Sequence, residues 1–335
     1  MEPDLTSSDA AFDVLGIGNA LVDVLATEND AFVDRLGLVK GSMELIDTDR
    51  AEELYAAMGV KTEASGGSAA NTLSGIASFG GRGAYIGRIR DDGLGKAFSH
   101  DLNSLGVHFS ADRATDGDPT GRCMIVVTPD GERTMSTYLG ASATLCADHL
   151  DRDLIGSAKV TFLEGYLFDR GPAKDAFRTA AAAAHGAGRR VALTLSDGFC
   201  VDRHRADFVE LVTTGVDILF ANEDEITKLY EVDTFDEGID AVRGSCEIAA
   251  VTRGAKGSMI VTADEVASID AHPVPRLVDT TGAGDLYASG FLFGLTTGRP
   301  LDECGQLGSI AASAVIGHMG PRPGMSLAQM ISLVD

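Results

Sequence analysis

A glycine-rich segment near the C-terminus combines an acid with small residues. Residues Asp279–Asp285 read DTTGAGD and lead into the apolar, helix-like stretch LYASGFLFGL. The N–H groups of Gly282, Ala283 and Gly284 at a helix start would form an anion site, because they lack helical partners and the helix dipole is positive there. Asp285, in that first turn, is either an ordinary helix-capping acid or a general base. As a base it would accept a proton from a substrate hydroxyl while the N–H groups hold a transferring phosphoryl group.

The run DTTGAGDLYASGFL resembles the C-terminal signature of the PfkB, or ribokinase-like, carbohydrate and nucleoside kinases. Four further motifs follow the family's order: GGSAAN at 66–71, DDGLG at 91–95, NEDE at 222–225 and TRG at 252–254. Arg90 stands where the family's turn before DDGLG usually has glycine. The resemblance covers residues 13–325 and implies an ATP-dependent kinase.

The resemblance also implies a nucleotide-binding side. It implies that Glu225 organises water around Mg²⁺ and that Asn222 belongs to the same motif. It also implies that Thr252 and Gly254 lie along the nucleotide and that Ser196 contacts it. Judged by themselves, Asn222 and Glu225 also fit a helix N-cap and a solvated acid. The sequence has no GxxxxGK[ST] loop, so the phosphates would be held by the glycine-rich helix start and Mg²⁺. K⁺ is a further cation that many family members bind near this loop.

The acceptor side is predicted from the residues after the first strand, GIGNALVD. The spacing of Asn19 and Asp23 is similar to that of adenosine kinases, whose aspartate binds the ribose 2′- and 3′-hydroxyls. A carboxylate accepts hydrogen bonds from a vicinal diol, and Asn71 would be a second polar ligand. Gly67 and Ser68 would line the ribose. The resemblance therefore favours phosphorylation of the 5′-hydroxyl of a nucleoside, most closely adenosine.

Two further residues are carried over with ordinary alternatives beside them. Tyr166 aligns with a region that stacks on the base in adenosine kinases, although a single aromatic residue after a strand is usually core. Arg133 aligns with a lid arginine near the phosphates, although an exposed strand arginine is the default interpretation. The main alternative substrate is a free sugar of the ribose, fructose or 2-keto-3-deoxygluconate type.

Functions of other classes fit less well. Gly16 and Gly18 follow a strand as in a dinucleotide-binding loop, but the third glycine position is occupied by Leu21, so the GxGxxG fingerprint fails. A kinase-like protein that only binds its ligands would have little need of both Asp285 and Glu225.

These residues need a scaffold, and the chain alternates apolar runs with helical patterns. The predicted strands are Asp13–Gly18, Gly83–Gly87, Lys159–Leu163, Arg190–Leu195, Asp217–Ala221 and Ile248–Thr252. The predicted helices are Ala69–Phe79, Leu94–Leu105, Ala173–His185, Glu223–Tyr230 and Asp285–Leu295. Repeated β–α alternation predicts a three-layer α/β/α domain with a mainly parallel sheet, here a single ribokinase-like domain spanning 1–335.

Two segments interrupt the alternation. Residues Thr120–Leu139 predict a β-hairpin with its turn at Asp130-Gly131, and residues Val24–Asp47 show no clear helix pattern. We expect the discontinuous segments 24–47 and 120–139 to form a small β lid beside the site.

The composition narrows the function classes. The 335 residues carry 27 basic and 50 acidic side chains, a formal net charge of −23, which argues against nucleic acid or an anionic membrane as partner. The five cysteines are isolated, which is typical of reduced thiols, and the acidic N-terminus does not resemble a signal peptide. We expect a cytoplasmic enzyme, monomer or homodimer, that takes a small substrate and ATP.

Overall fold

The structure is a computed structural model that describes residues 10–109, 113–169 and 171–331. Within them the chain forms thirteen strands: β1 Phe12–Ile17, β2 Leu21–Thr27, β3 Met43–Leu45, β4 Thr62–Gly66, β5 Gly83–Ile86, β6 Thr120–Val127, β7 Arg133–Gly140, β8 Ala158–Glu164, β9 Arg190–Thr194, β10 Ile218–Asn222, β11 Ile248–Thr252, β12 Ser258–Val261 and β13 Val266–Ile269. The α-helices are α1 Asp30–Arg35, α2 Thr48–Ala57, α3 Ser68–Ser78, α4 Gly93–Ser104, α5 Arg152–Gly156, α6 Gly171–Gly186, α7 Gly198–Gly215, α8 Glu223–Tyr230, α9 Phe235–Val242, α10 Ala283–Thr296, α11 Leu301–Ile316 and α12 Leu327–Ile331.

The main sheet has eight strands in the order β13-β12-β11-β10-β9-β8-β1-β5, and all neighbours pair parallel except β11–β12 and β12–β13, which are antiparallel. Its strands are apolar along their length because both faces are covered. The side chains of Val14 and Phe162 pack with α3 and α10, whereas Leu15 and Leu163 pack with α6 and α7 on the opposite face. The predicted three-layer α/β/α arrangement with a mainly parallel sheet is confirmed.

The second sheet has five strands in the order β3-β7-β6-β2-β4. Side chains alternate between its faces, as in any strand. Val22 and Val24 of β2 face α1 and α2 in the core, while Leu21 and Asp23 line a cavity on the other side. Strands β6 and β7 form the predicted hairpin, and Gly131 in its turn has a φ of +86°.

The second sheet is larger than the two predicted lid segments. It starts at Leu21 and includes β4 (Thr62–Gly66), and the segment 24–47 contains α1 and β3. Strand β4 reads TEASG and has no apolar run, and its first two residues are exposed. Helix α1 has only six residues, too few for a periodic pattern, and Asn29 caps it by accepting from the Phe32 N–H.

No helix in the described part of the chain combines the length and the apolar character needed to cross a membrane.

Candidate active site

A cavity of about 580 Å³ lies where the carboxyl ends of the parallel strands meet the inner face of the second sheet. It collects every predicted site residue except Arg133. The lining includes Asn19, Asp23, Gly67, Ser68, Asn71, Tyr166, Ser196, Asn222, Glu225, Thr252, Gly254, Gly282, Ala283, Gly284 and Asp285. Residues from one end of the chain to the other therefore meet at a single cavity.

Asp285 is held in place by two side chains from α3. The Ser68 hydroxyl donates to Oδ1 at 2.6 Å, and the Asn71 side-chain amide donates to Oδ2 at 3.0 Å. Burial raises the pKa of Asp285 above its usual value, against the effect of these two hydrogen bonds. Asp285 lies in the first turn of α10, and both of its carboxylate oxygens accept from side chains of α3. The Asn71 Oδ1 is buried and finds no hydrogen-bond donor among the described residues.

Two glycines fix the local backbone around this acid. Gly67 caps α3 with a φ of +93°, and a Cβ there would lie 2.4 Å from the carbonyl oxygen of Asn19. Gly282 caps α10 with a φ of +78°, and a Cβ there would lie 2.8 Å from Pro321. L-residues rarely adopt this conformation, so glycine sets the start of both helices.

The anion site at the start of α10 is narrower than predicted. The Ala283 N–H donates to the Thr280 carbonyl at 3.1 Å. Across the described ranges, the N–H groups of Gly282 and Gly284 have no hydrogen-bond acceptor. Both N–H groups lie at the start of α10, where the helix dipole is positive, and a phosphoryl oxygen would accept hydrogen bonds from them.

Asp23 differs from Asp285 in having no fixed partner. Its carboxylate makes no hydrogen bond to any of the described residues, although it lies against Gly66 on the neighbouring strand. Burial raises the pKa of Asp23 to about 6, against the opposing fields of Arg322 and Arg133. An apolar wall on the same sheet adjoins it, formed by Leu21, Met43, Leu45, Cys123, Ile125, Met135 and Leu139.

Glu164 is a cavity residue that the sequence reasoning did not single out. It is 1% exposed and accepts from the Asn19 N–H at 3.2 Å, the Asn19 side-chain amide at 2.9 Å and the Ala69 N–H at 2.9 Å. Burial raises the pKa of Glu164 to about 7. The sequence does contain a signal, because strand β8 ends in an acid, at the carboxyl edge where ligands bind in α/β sheets.

Asn222 and Glu225 form a reciprocal cap at the start of α8. The Asn222 N–H and side-chain amide donate to the two Glu225 oxygens at 3.0 and 2.6 Å, and Asn222 Oδ1 accepts from the Glu225 N–H at 2.9 Å. Burial raises the pKa of Glu225 to about 7. The N-cap interpretation of Asn222 is confirmed, whereas Glu225 is buried and is not the solvated acid of that alternative.

The acids of the cavity do not build a metal cage. Among the described residues, no group of three or more His, Cys, Asp or Glu side chains is arranged to hold a metal ion. Mg²⁺ usually retains several waters and takes the rest of its oxygens from one or two carboxylates and substrate phosphates. Glu225, at the cavity wall with its oxygens already oriented by Asn222, fits such a water-mediated site.

Ser196 and Tyr166 form a hydrogen-bonded unit at the cavity. Ser196 has a φ of +74°, which is unusual for a non-glycine residue and concentrates at functional sites. Its hydroxyl oxygen accepts from the Tyr166 N–H at 3.1 Å, and its carbonyl accepts from the Tyr166 hydroxyl at 3.3 Å. Thr252 and Gly254 line the same cavity, at the end of β11 and just after it.

Arg133 begins β7 just behind the cavity wall. It is 9% exposed, so the alternative of an exposed strand arginine is wrong. Its Nη2 lies 2.7 Å from Oδ2 of Asp279, and Asp279 also accepts from the N–H groups of Thr281 and Gly320 at 3.0 and 2.9 Å. Arg133 is not among the residues that line the cavity, and beyond the Asp279 ion pair no described acceptor has hydrogen-bond geometry toward its guanidinium nitrogens.

The chain is similar in sequence and fold to known proteins. The model of the pfkB family of carbohydrate kinases matches residues 35–327. The chain belongs to this family. It is a kinase, adenosine kinase-like, that acts on a nucleoside or a sugar with ATP as co-substrate.

Three relatives illustrate the match. The solved structure of adenosine kinase from Sinorhizobium meliloti is 51% identical, covers 97% of this chain and all of its own, and superposes with a TM-score of 0.91. That of a probable sugar kinase from Rhizobium etli CFN 42 is 47% identical over 97% of this chain and 99% of its own, also with a TM-score of 0.91. Adenosine kinase 1 of Arabidopsis thaliana is 28% identical over 94% of this chain and 97% of its own length.

Proposed function

We propose that this kinase transfers the γ-phosphoryl group of ATP to the 5′-hydroxyl of a nucleoside, with adenosine as the preferred acceptor. The observation that carries the proposal is the Asp23 carboxylate, which lies unpaired in the same cavity as Asp285. An ionised carboxylate without a protein donor is suited to bind two vicinal hydroxyls. The apolar wall beside Asp23 offers a surface for a purine, and the adenosine kinase names of two relatives agree with this acceptor.

The chemistry then follows from positions within the cavity. Asp285 accepts the proton of the 5′-hydroxyl as that oxygen forms a bond to the γ-phosphorus, and the bond from phosphorus to the ADP oxygen breaks. The N–H groups of Gly282 and Gly284 hold the transferring group, and the buried Arg133 adds positive charge nearby. Ser68 and Asn71 keep Asp285 in place, which limits the motion lost on reaching the transition state.

Other residues orient the two substrates. Asp23 and Asn71 Oδ1 would bind the ribose hydroxyls, with Asn19, Gly67 and Tyr166 completing the acceptor side. On the donor side Ser196, Asn222, Thr252 and Gly254 would line the nucleotide, and Glu225 would hold Mg²⁺ through water. That ion supplies charge neutralisation on the phosphates. The second sheet would act as a lid that excludes water and so limits ATP hydrolysis. K⁺ dependence, oligomeric state and cytoplasmic location stay predictions.

An acceptor panel tests the proposal. Purified protein with Mg²⁺ and ATP is assayed for ADP release with adenosine, other nucleosides, 2′-deoxyadenosine, 5′-deoxyadenosine, ribose, fructose and 2-keto-3-deoxygluconate. We expect turnover of adenosine, weaker turnover of the 2′-deoxy compound and none of the 5′-deoxy compound, with the product identified as the 5′-monophosphate by ³¹P NMR. Turnover of a free sugar alone would support the sugar-kinase alternative and overturn the nucleoside assignment.

A further inference from the structure

We infer that Glu164 is a positioning residue for the phosphoryl transfer, acting through helix α3 on the side chains that hold Asp285. The inference rests on the proposed role of Asp285 as the base. Among the described residues, Glu164 makes no hydrogen bond with Asp285, although the two carboxylates repel each other through space.

Three hydrogen-bond donors converge on the carboxyl group of Glu164. Its Oε1 accepts both the N–H and the side-chain amide of Asn19, and its Oε2 accepts the Ala69 N–H in the first turn of α3. All three residues are buried, with Ala69 at 0% and Asn19 at 2% exposure. A carboxyl group suits this arrangement, because each of its two oxygens has lone pairs that accept hydrogen bonds.

Glu164 has no compensating cation among the described residues. Among residues 10–109, 113–169 and 171–331, no lysine, arginine or histidine pairs with Glu164. A buried carboxylate without a cationic partner costs free energy that hydrogen bonds and the positive end of α3 must offset. An apolar side chain would fill this position without that cost. What the acid adds is the fixed position of Asn19 and of the Ala69 N–H.

Ala69 is linked to Asp285, the proposed base, through the first turn of α3. Ala69 lies between Ser68 and Asn71, the two residues whose side chains bond Asp285 at 2.6 and 3.0 Å. Fixing the Ala69 N–H on Glu164 therefore fixes the turn of α3 that carries both contacts. At the other end, the Ser142 hydroxyl donates to Asn19 Oδ1 at 3.0 Å, so the chain of hydrogen bonds extends to the residues that follow β7.

Glu164→Gln is the decisive variant because the amide keeps the shape but presents a donor to one of the N–H groups. We expect kcat to fall by about 100-fold while the KM values for ATP and acceptor stay near those of the wild type, since a small displacement of catalytic groups costs about this much. We also expect faster hydrogen exchange of the Ala69 amide, measured by NMR without substrate. Glu265→Gln, the same change at an exposed acid, is the matched control and should alter neither quantity.

Three outcomes would overturn the inference. A higher acceptor KM with unchanged kcat would make Glu164 a direct substrate ligand. A lower Tm with normal kcat and normal Ala69 exchange would make it merely structural. Unchanged kcat, KM and exchange would leave it no role. If Glu164→Gln does not fold, Ser142→Ala replaces it, and a several-fold loss of kcat at constant KM is then expected from the far end of the chain of hydrogen bonds.

The same design separates this inference from the proposed function. If the wild-type protein phosphorylates only a sugar, the nucleoside assignment fails, yet the kcat comparison is repeated with that sugar. The Ala69 exchange measurement needs no substrate, so it tests the role of Glu164 in either case.

Discussion

The main sheet is covered by helices on both faces, whereas the second sheet is covered on one face and turns the other toward the cavity. The acids contributed at the edge of the main sheet are already hydrogen-bonded: Asp285 to α3, Glu164 to Asn19 and Ala69, and Glu225 to Asn222. Asp23, from the second sheet, has no hydrogen-bond donor among the described residues. From this difference we propose a division in which the main sheet fixes the reacting groups and the second sheet recognises the acceptor.

The strongest test of that division is Asp285→Asn. We expect kcat to fall by about 10²–10⁴, because the amide cannot take the hydroxyl proton, while ATP binding measured by calorimetry is retained. Asp236→Asn, in the exposed first turn of α9, is the control and should behave like the wild type. Near-normal turnover of Asp285→Asn would show that another group is the base.

The free energy of unfolding should depend more on the buried interior of the main sheet than on the cavity face of the second sheet. Phe162 is fully buried in β8 with its ring 6.1 Å from that of Phe220, so Phe162→Ala should lower the free energy of unfolding by about 3–5 kcal/mol. Leu45 is 48% exposed in β3, and Leu45→Ala should change it by less than about 0.5 kcal/mol. Urea unfolding measures both values. Equal losses would show that the cavity face of the second sheet contributes as much to stability as the buried interior of the main sheet.

Asp23→Asn should impair recognition and spare chemistry. Each hydrogen bond from a substrate hydroxyl to a carboxylate is worth about 1.5–3 kcal/mol, so we expect the KM for adenosine to rise at least tenfold and the preference over 2′-deoxyadenosine to shrink. Steady-state kinetics with both nucleosides measures this, with Asp34→Asn at an exposed position of α1 as control. Loss of kcat at constant KM would instead place Asp23 among the reacting groups.

The smallest expected effect is on the pH dependence of stability. Burial raises the pKa to about 6 for Asp23 and to about 7 for Glu164 and Glu225, so the folded protein binds these protons more tightly than the unfolded chain. Stability contributed by these groups should therefore fall as pH rises from about 5 to about 7 and then level off. Acids with lowered pKa, such as Asp13 and Asp101, titrate below this range.

Thermal unfolding at about pH 5 and about pH 8 measures the decline. Asp23→Asn should reduce it, because one of the three groups no longer titrates, and Asp34→Asn should leave it unchanged. A variant decline as large as that of the wild type would show that the Asp23 carboxyl is ionised throughout this range.

Much of the main sheet could be predicted because its strands are apolar along their length. The bounds of β11 and α8 agree with the predicted Ile248–Thr252 and Glu223–Tyr230. In the second sheet, β4 carries Glu63 and Ser65 and its first two residues are exposed, so no periodic pattern distinguishes it from a loop.

The contents of the cavity were predicted better than the connections within it. Motif spacing identified Asp23 and Asp285, but Glu164 bonds Asn19 from 145 positions away. Ser68 and Asn71 were predicted to lie beside the ribose, and both line the cavity, but their hydrogen bonds to Asp285 were not predicted. Side-chain partners so distant in sequence are determined by tertiary packing, which local pattern does not report.

The order of strands in the main sheet also has a consequence for how the protein reaches its native state. Strand β1 lies between β5 and β8, and Phe12 pairs with Ala158. During synthesis, β1 therefore has one edge unpaired until more than 140 residues have followed it. Pairings this distant must overcome a large loop-closure entropy and form slowly. An exposed apolar strand in a nascent chain is prone to aggregation, so the yield of folded enzyme should depend on growth temperature and chaperone supply more than its final stability would suggest.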